Sequence, residues 1–116
     1  MSTAAIVVVA VVALLHAWFL VLEMFLWTKP AGMRTFRLTP EFAAQSRTLA
    51  ANQGLYNGFL AAGLVYGLCV QSREIVLLFL AFVIVAGAYG ALTVNKRIFF
   101  IQAFPAIVAA MLVNWR

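Results

Sequence analysis

The sequence contains few charged residues for its length. Charged side chains make up 9% of the 116 residues, as eight Lys or Arg and three acids, whereas 66% of the residues are hydrophobic. The mean hydropathy is +1.06. Soluble domains are about 25% charged, and a chain this short has too little interior to bury so much apolar surface. This composition excludes disorder, a collagen-like fibre and a soluble monomer, and it predicts an integral membrane protein.

Cysteine is almost absent as well. Cys69 is the single cysteine, which excludes an internal disulfide and any Cys-x-x-Cys metal or redox motif. With one histidine and three acids, no metal site is expected. The net charge of +5 does not predict nucleic-acid binding, because the cations lie between apolar runs, where they set topology and contact anionic lipids.

Four apolar runs are long enough to cross a bilayer as helices, which needs about 20 residues each. We expect an all-α, four-helix membrane bundle that forms one domain over residues 1–116. Two very short connections make neighbouring helices antiparallel, and the loop between the first two helices is longer. The predicted helices cover 3–28, 48–70, 75–94 and 98–115, and the long loop covers 29–47.

The cations predict the orientation of the bundle. The first and third connections hold six of the eight Lys and Arg residues, so the positive-inside rule places both connections in the cytoplasm and both termini on the other side. The first apolar run has no preceding cation and is too long for a signal-peptide core. We therefore expect the first run to remain as a transmembrane helix and the whole chain to be a multi-pass membrane protein.

Three prolines mark the expected helix boundaries and a kink. Pro30, with Gly32, is expected to stop the first helix. The triplet Thr39-Pro40-Glu41 is typical of a helix start, with a threonine N-cap, proline at the first position and an acid in the first turn. The second helix is therefore expected to begin near Pro40 and to project from the membrane. Pro105 is expected to kink the fourth helix.

An acid and a histidine lie within the first apolar run. His16 and Glu23 are seven residues apart and share one helix face. An acid at membrane depth costs roughly 2.5–3.5 kcal/mol on insertion scales and commonly has a function. Two interpretations remain open for Glu23: a structural ion pair with Arg47, Lys96 or Arg97, or a role in binding a ligand or a proton.

The second helix is dense in polar side chains, since four of the six residues at 52–57 are polar. They cover more than one helix face, which favours a cavity lining over simple interhelical hydrogen bonds, although the latter remain an alternative. Most polar groups fall in the predicted cytoplasmic half. The candidate ligand-binding residues are Glu23, His16, Asn52, Gln53, Tyr56, Asn57, Arg47, Thr93, Lys96 and Gln102.

Small residues form a separate stripe on the second helix. Ala51, Gly54, Gly58 and Ala61 lie on the face away from Asn52, and the two glycines match the G-x-x-x-G spacing that allows close helix contact. This contact could form within one bundle or between copies of the chain in a homo-oligomer.

Two segments resemble a known family. LHAWF at 15–19, followed by Glu23 and Trp27, and NQGLYNGFLA at 52–61 resemble the bacterial membrane family filed as domain of unknown function 1304. The resemblance covers nearly the whole chain and implies a small four-helix membrane protein. It brings no assigned activity.

A second, fainter likeness covers about a third of the chain. Arg47 followed by Asn52 is similar to the second helix of the membrane-associated proteins in eicosanoid and glutathione metabolism, which are four-helix proteins that form trimers. This likeness implies glutathione binding among polar and cationic groups. The glutathione-using members carry an acid three residues after the asparagine, whereas this chain has Leu55.

These patterns leave three hypotheses for function. The first is a polar pocket in the cytoplasmic half of the bundle that binds or moves a small anionic or amphiphilic molecule. The second is a glutathione- or thiol-dependent membrane enzyme, and glutathione is the one cofactor that any of the hypotheses requires. The third is a structural or assembly protein, which leaves Glu23 unexplained. The sequence does not decide whether the protein is an enzyme.

Overall fold

A computed structural model describes residues 1–115 and is helical over most of that length, with no strand in this range. It contains five α-helices and one π-helical turn. The α-helices are α1 Thr3–Met24, α2 Pro30–Phe36, α3 Pro40–Cys69, α4 Arg73–Thr93 and α5 Phe104–Asn114, and the π-helical turn is Phe99–Ala103.

The first helix is shorter than the sequence predicts, and the prolines explain part of the difference. Helix α1 ends at Met24, four residues before the expected boundary at Thr28. Pro30 does not act as a stop; it opens the short helix α2 at an N-terminal position, where its fixed φ and missing N–H carry no penalty. Helix α2 ends at Phe36, and the next residue, Arg37, caps it in the left-handed region with a φ of 56°.

The third helix begins where the Thr-Pro-Glu triplet predicts. The Thr39 side chain accepts a hydrogen bond from the Phe42 N–H at 3.2 Å, as an N-cap does, and α3 runs for 30 residues from Pro40. A left-handed Gln71, with a φ of 55°, follows its end. Ser72 then caps α4 by accepting a hydrogen bond from the Ile75 N–H.

A π-helical turn, Phe99–Ala103, lies just before Pro105, where the sequence predicts a kink. The N–H of Phe104 donates to the carbonyl of Phe99, a five-residue step instead of the usual four. Proline cannot donate to the carbonyl four residues earlier and collides with it in a regular helix. The wider π turn removes that conflict, and such turns are common at functional sites.

The described residues divide into two compact units. The larger unit contains Met1–Leu14 and the chain from Leu60 onward. Helix α4 packs against α5 and the π turn, and small and branched apolar side chains fill the core. These core residues are Ala5, Val9, Val12, Ala13, Leu64, Val76, Leu80, Val83, Ala106, Ala109 and Val113.

The smaller unit spans Leu15–Phe59. It contains the second half of α1, helix α2 and the first two thirds of α3. Trp27, in the turn after α1, donates its indole N–H to the Ser46 hydroxyl at 3.0 Å. The Trp27 ring also packs on Phe36 of α2, with 5.0 Å between ring centroids. These contacts join the first connection to α3.

Two helices are long and apolar enough to cross a membrane. They are α1 and α4, and the segment Phe99–Asn114 is apolar but shorter. Both helices carry large apolar side chains that the rest of the described chain leaves exposed. On α1 these are Val7, Val11, Leu14 and Trp18, and on α4 they are Leu78, Phe82, Val85, Tyr89 and Leu92.

Candidate functional site

A buried acid–amide cluster joins α1 to α3 within the smaller unit. The Glu23 side chain is 2% exposed, and each of its two carboxyl oxygens accepts one hydrogen bond. Gln53 Nε2 donates to Oε2 at 2.6 Å, and Asn57 Nδ2 donates to Oε1 at 2.5 Å. We call these three residues the Glu23 cluster.

The spacing of α3 produces this arrangement. Gln53 and Asn57 are four residues apart and therefore project from one face of the helix. Glu23 lies in the last turn of α1, which ends at Met24. A carboxyl group on one helix thus lies between two amides on the next.

Glycine at position 54 allows the two helices to approach closely enough for these short side chains to meet. A Cβ atom at Gly54 would lie 2.8 Å from Met24 Cγ, 3.0 Å from Glu23 Cβ and 3.3 Å from the Leu20 carbonyl oxygen. Gly58, one turn later, faces the Leu20 side chain. The G-x-x-x-G pair is therefore used within the chain, between α1 and α3.

The partners of Glu23 are neutral. The sequence offered Arg47, Lys96 and Arg97 as ion-pair partners, whereas the hydrogen bonds that the structure describes come from amides. Arg47 is exposed on α3. The carboxyl group is therefore withdrawn from solvent without a positive charge bonded to it.

His16 is buried on the same helix as Glu23. The side chains of His16 and Leu22 are 0% exposed, and that of Glu23 is 2% exposed. Both polar residues that were predicted to share a helix face, His16 and Glu23, are therefore buried. The His16 ring packs edge-on against Phe19 with 5.3 Å between centroids. The histidine therefore extends the line of buried polar groups along α1.

The other candidates on α3 lie at the surface of the described chain. Asn52 is exposed and Tyr56 is 59% exposed, and the Tyr56 ring contacts Phe59 at 5.7 Å. Gln53 is also exposed as a residue, although its amide binds Glu23. Gln53 is thus the point where the Glu23 cluster reaches the surface.

The remaining candidates belong to the larger unit. Thr93, at the end of α4, donates its hydroxyl to the Tyr89 carbonyl within its own helix at 2.7 Å. Lys96 is exposed in the connection after α4. Gln102 is partly buried within the π turn. The structure therefore brings Glu23, Gln53 and Asn57 together in the smaller unit, whereas Thr93, Lys96 and Gln102 belong to the larger one.

A cavity that sequence reasoning did not predict lies at the start of α4. It has a volume of about 300 Å³ and is lined by Met1, Ile6, Leu68, Gln71 and Arg73. The Nε atom of Arg73 is buried and has no hydrogen-bond partner among the described residues. The one signal in the sequence is Arg73 itself, which lies outside the main group of cations.

The described residues are mainly helical, and two of the helices are long and apolar enough to cross a membrane. A buried acid–amide cluster lies between α1 and α3. The chain is therefore a small helical protein with a polar site between two helices. The family model described as "Protein of unknown function (DUF1304)" matches residues 10–114. The chain is also 36% identical over 113 residues to "Uncharacterized protein YpaA" of Lactococcus lactis subsp. lactis (strain IL1403), a match that covers 94% of this chain and 95% of the relative. This protein therefore belongs to the DUF1304 family. No solved structure matches it.

Proposed function

We propose that the whole chain forms a single four-helix domain in the bacterial cytoplasmic membrane, with both termini outside. The exposed apolar stripes of α1 and α4 support this arrangement, because soluble monomers rarely expose contiguous apolar surface of this kind. The six cations of the first and third connections support the orientation. The relative in Lactococcus lactis supports a bacterial source.

Within this bundle, we propose that the Glu23 cluster binds the polar head of a small amphiphilic molecule. The observation that carries the proposal is the buried carboxyl group whose two bonded partners are neutral amides. An acid at the centre of a membrane helix costs roughly 2.5–3.5 kcal/mol, and less towards the helix end, where Glu23 lies. Interhelical hydrogen bonds in membranes contribute about 0.6 kcal/mol each on average, so a further donor from a ligand would stabilise the buried acid.

The chemistry of the cluster selects the kind of head group. When ionised, the Glu23 carboxyl group only accepts hydrogen bonds, and in that state it prefers a head with donors, such as an amine or several hydroxyls. An anionic head would be repelled by Glu23 and would depend on Arg47, which is exposed on the same helix. The geometry therefore supports an amphiphile with hydrogen-bond donors better than an anion.

The surroundings of the cluster suit an amphiphile. Gln53 brings the cluster to the surface of α3, and Leu49 and Tyr56, one turn before and after it on the same side of the helix, are 76% and 59% exposed. An alkyl chain could lie against these apolar side chains while its head group contacts the Gln53 amide. In this arrangement the ligand enters from the bilayer and His16 marks the inner end of the polar line.

Thermal unfolding in nanodiscs tests this proposal. Decylamine, monodecanoylglycerol and decanoate are titrated into the wild type, Glu23→Gln and the control Glu41→Gln, which removes an exposed acid from the first turn of α3. Binding to the folded state raises the melting temperature with concentration. We expect the donor-bearing probes to raise it in the wild type and in Glu41→Gln, and much less in Glu23→Gln.

The outcomes separate the competing functions. Equal stabilisation of all three proteins by decylamine or monodecanoylglycerol would contradict the proposal, as would a response to decanoate alone. A rise with glutathione in the same assay would support the thiol-dependent enzyme instead. If no probe acts and Glu23→Gln lowers the melting temperature by itself, the cluster is a structural link between α1 and α3.

A further inference from the structure

The cavity at the start of α4 combines a cation, a polar side chain and apolar walls. Arg73 and Gln71 line it together with Met1, Ile6 and Leu68. Its volume of about 300 Å³ is at the small end of the range for ligand pockets. That is enough for a head group, but not for a whole lipid.

Arg73 is the residue that gives this cavity a preference for anions. Its Nε atom is buried without a hydrogen-bond partner among residues 1–115, and buried polar groups in folded proteins normally have one. A guanidinium group binds planar or tetrahedral oxyanions through two parallel N–H donors, of which Nε–H is commonly one. An anion in the cavity would therefore use the guanidinium group of Arg73, which lines the cavity.

The local charge also favours an anion. The larger unit contains a single acid, Glu74, which is exposed and is not among the residues that line the cavity. Gln71 adds a neutral amide. It is held in the left-handed region, with a φ of 55°, a conformation that residues other than glycine adopt uncommonly. The side chains that line the cavity therefore include one cation and no acid.

The apolar lining distinguishes a lipid from a free ion. Ile6 is 43% exposed and Leu68 is half-buried, and both lie beside the cation. Arg73 begins α4, a helix that is long and apolar enough to cross the membrane. In a membrane-spanning arrangement, its guanidinium lies near the level of the lipid phosphates.

We propose that this cavity binds the phosphate head group of an anionic membrane phospholipid, with Arg73 as the principal ligand. Gln71 would contribute a second hydrogen bond, and an acyl chain would lie along Ile6 and Leu68. This inference rests on the proposed membrane arrangement, but it shares no residue with the Glu23 cluster, so failure of the amphiphile proposal leaves it unaffected.

Native mass spectrometry of the detergent-purified protein tests the site. The wild type, Arg73→Gln and Arg73→Lys are mixed with phosphatidylglycerol or phosphatidylcholine, and the bound lipid is counted at increasing lipid concentration. We expect the wild type to prefer phosphatidylglycerol. Arg73→Gln should weaken that binding about tenfold or more, because a charge-assisted pair is lost, and Arg73→Lys should restore it only in part.

Two further variants make the result specific. Arg34→Gln removes an exposed cation of α2 and should leave the phosphatidylglycerol count unchanged. Ile6→Trp fills the apolar wall while keeping the charge, so it should weaken lipid binding even if Arg73→Gln fails to fold. Circular dichroism checks that each variant is helical.

The same variants can overturn the proposal. Equal binding of both lipids by the wild type would do so, and so would unchanged phosphatidylglycerol binding in Arg73→Gln and Ile6→Trp. Inorganic phosphate provides the last arm. If it displaces phosphatidylglycerol at millimolar concentration, the cavity is a site for free phosphate and the lipid assignment is wrong. We expect no such displacement, since phosphate has no acyl chain.

Discussion

Replacing Asn57 by alanine should weaken the contact between α1 and α3 far more than the same change at Asn52. Asn57 is 8% exposed and donates to Glu23 Oε1 at 2.5 Å, whereas Asn52 is exposed five residues earlier on the same helix. Replacing asparagine by alanine raises the helix propensity by the same amount at both positions, so this contribution to the free energy of unfolding cancels in the comparison. The difference isolates the bond to the acid.

The expected magnitude follows from the kind of bond. A hydrogen bond to a charged group contributes about 1.5–3 kcal/mol in soluble proteins, and interhelical bonds in a membrane protein reach about 1.7 kcal/mol at most. We therefore expect Asn57→Ala to lower the free energy of unfolding by about 1–2 kcal/mol. Asn52→Ala should stay within about 0.5 kcal/mol of the wild type.

Reversible unfolding in mixed micelles of dodecylmaltoside and sodium dodecyl sulfate measures both values. A double-mutant cycle with Glu23→Ala adds the decisive comparison, because without the acid the Asn57 amide has lost its acceptor. In that background, the cost of Asn57→Ala should fall to that of Asn52→Ala. An equal cost with and without Glu23 would show that the bond contributes nothing to stability.

Two further changes test the packing around the cluster. Gly54→Ala should destabilise the protein by about 1–3 kcal/mol through overpacking, because the new Cβ would lie 3.0 Å from Glu23 Cβ. Gly58→Ala should destabilise the protein less, because the new Cβ meets only the flexible end of the Leu20 side chain. Similar unfolding midpoints for the two variants would contradict this reasoning. Trp27→Phe removes the donor to Ser46 and should lower the free energy of unfolding by about 1 kcal/mol. Faster proteolysis of the first connection is the readout, and an unchanged cleavage rate would show that this bond does not hold the connection.

The sequence predicted local features of the fold where one residue type has a fixed conformational effect. Thr39 and Pro40 start a helix because the hydroxyl caps it and proline fits its first position. The same rule applies to Pro30, but whether it ends one helix or begins another depends on the residues before it. Helix α1 ends at Met24, and no residue at that position indicates a helix end.

The composition of the cluster could be predicted only in part. The seven-residue spacing placed His16 and Glu23 on one face, and both are buried. The four polar residues of 52–57 cover two faces of α3, and the sequence alone does not show which face meets α1. The small residues Gly54 and Gly58 indicate that face, because small residues allow another helix to approach closely. Gln53 and Asn57 each precede one of these glycines and therefore lie beside that face.

The most direct test of the central claim is photoaffinity labelling in membranes with a decylamine that carries a diazirine group. The adducts are mapped by mass spectrometry in the wild type, Glu23→Gln and Glu41→Gln. If the Glu23 cluster binds an amphiphile with a donor-bearing head, adducts should concentrate on residues 20–24 and 49–57, persist in Glu41→Gln and disappear from these segments in Glu23→Gln. Adducts spread evenly over the exposed apolar stripes of α1 and α4, with the same pattern in Glu23→Gln, would contradict the account.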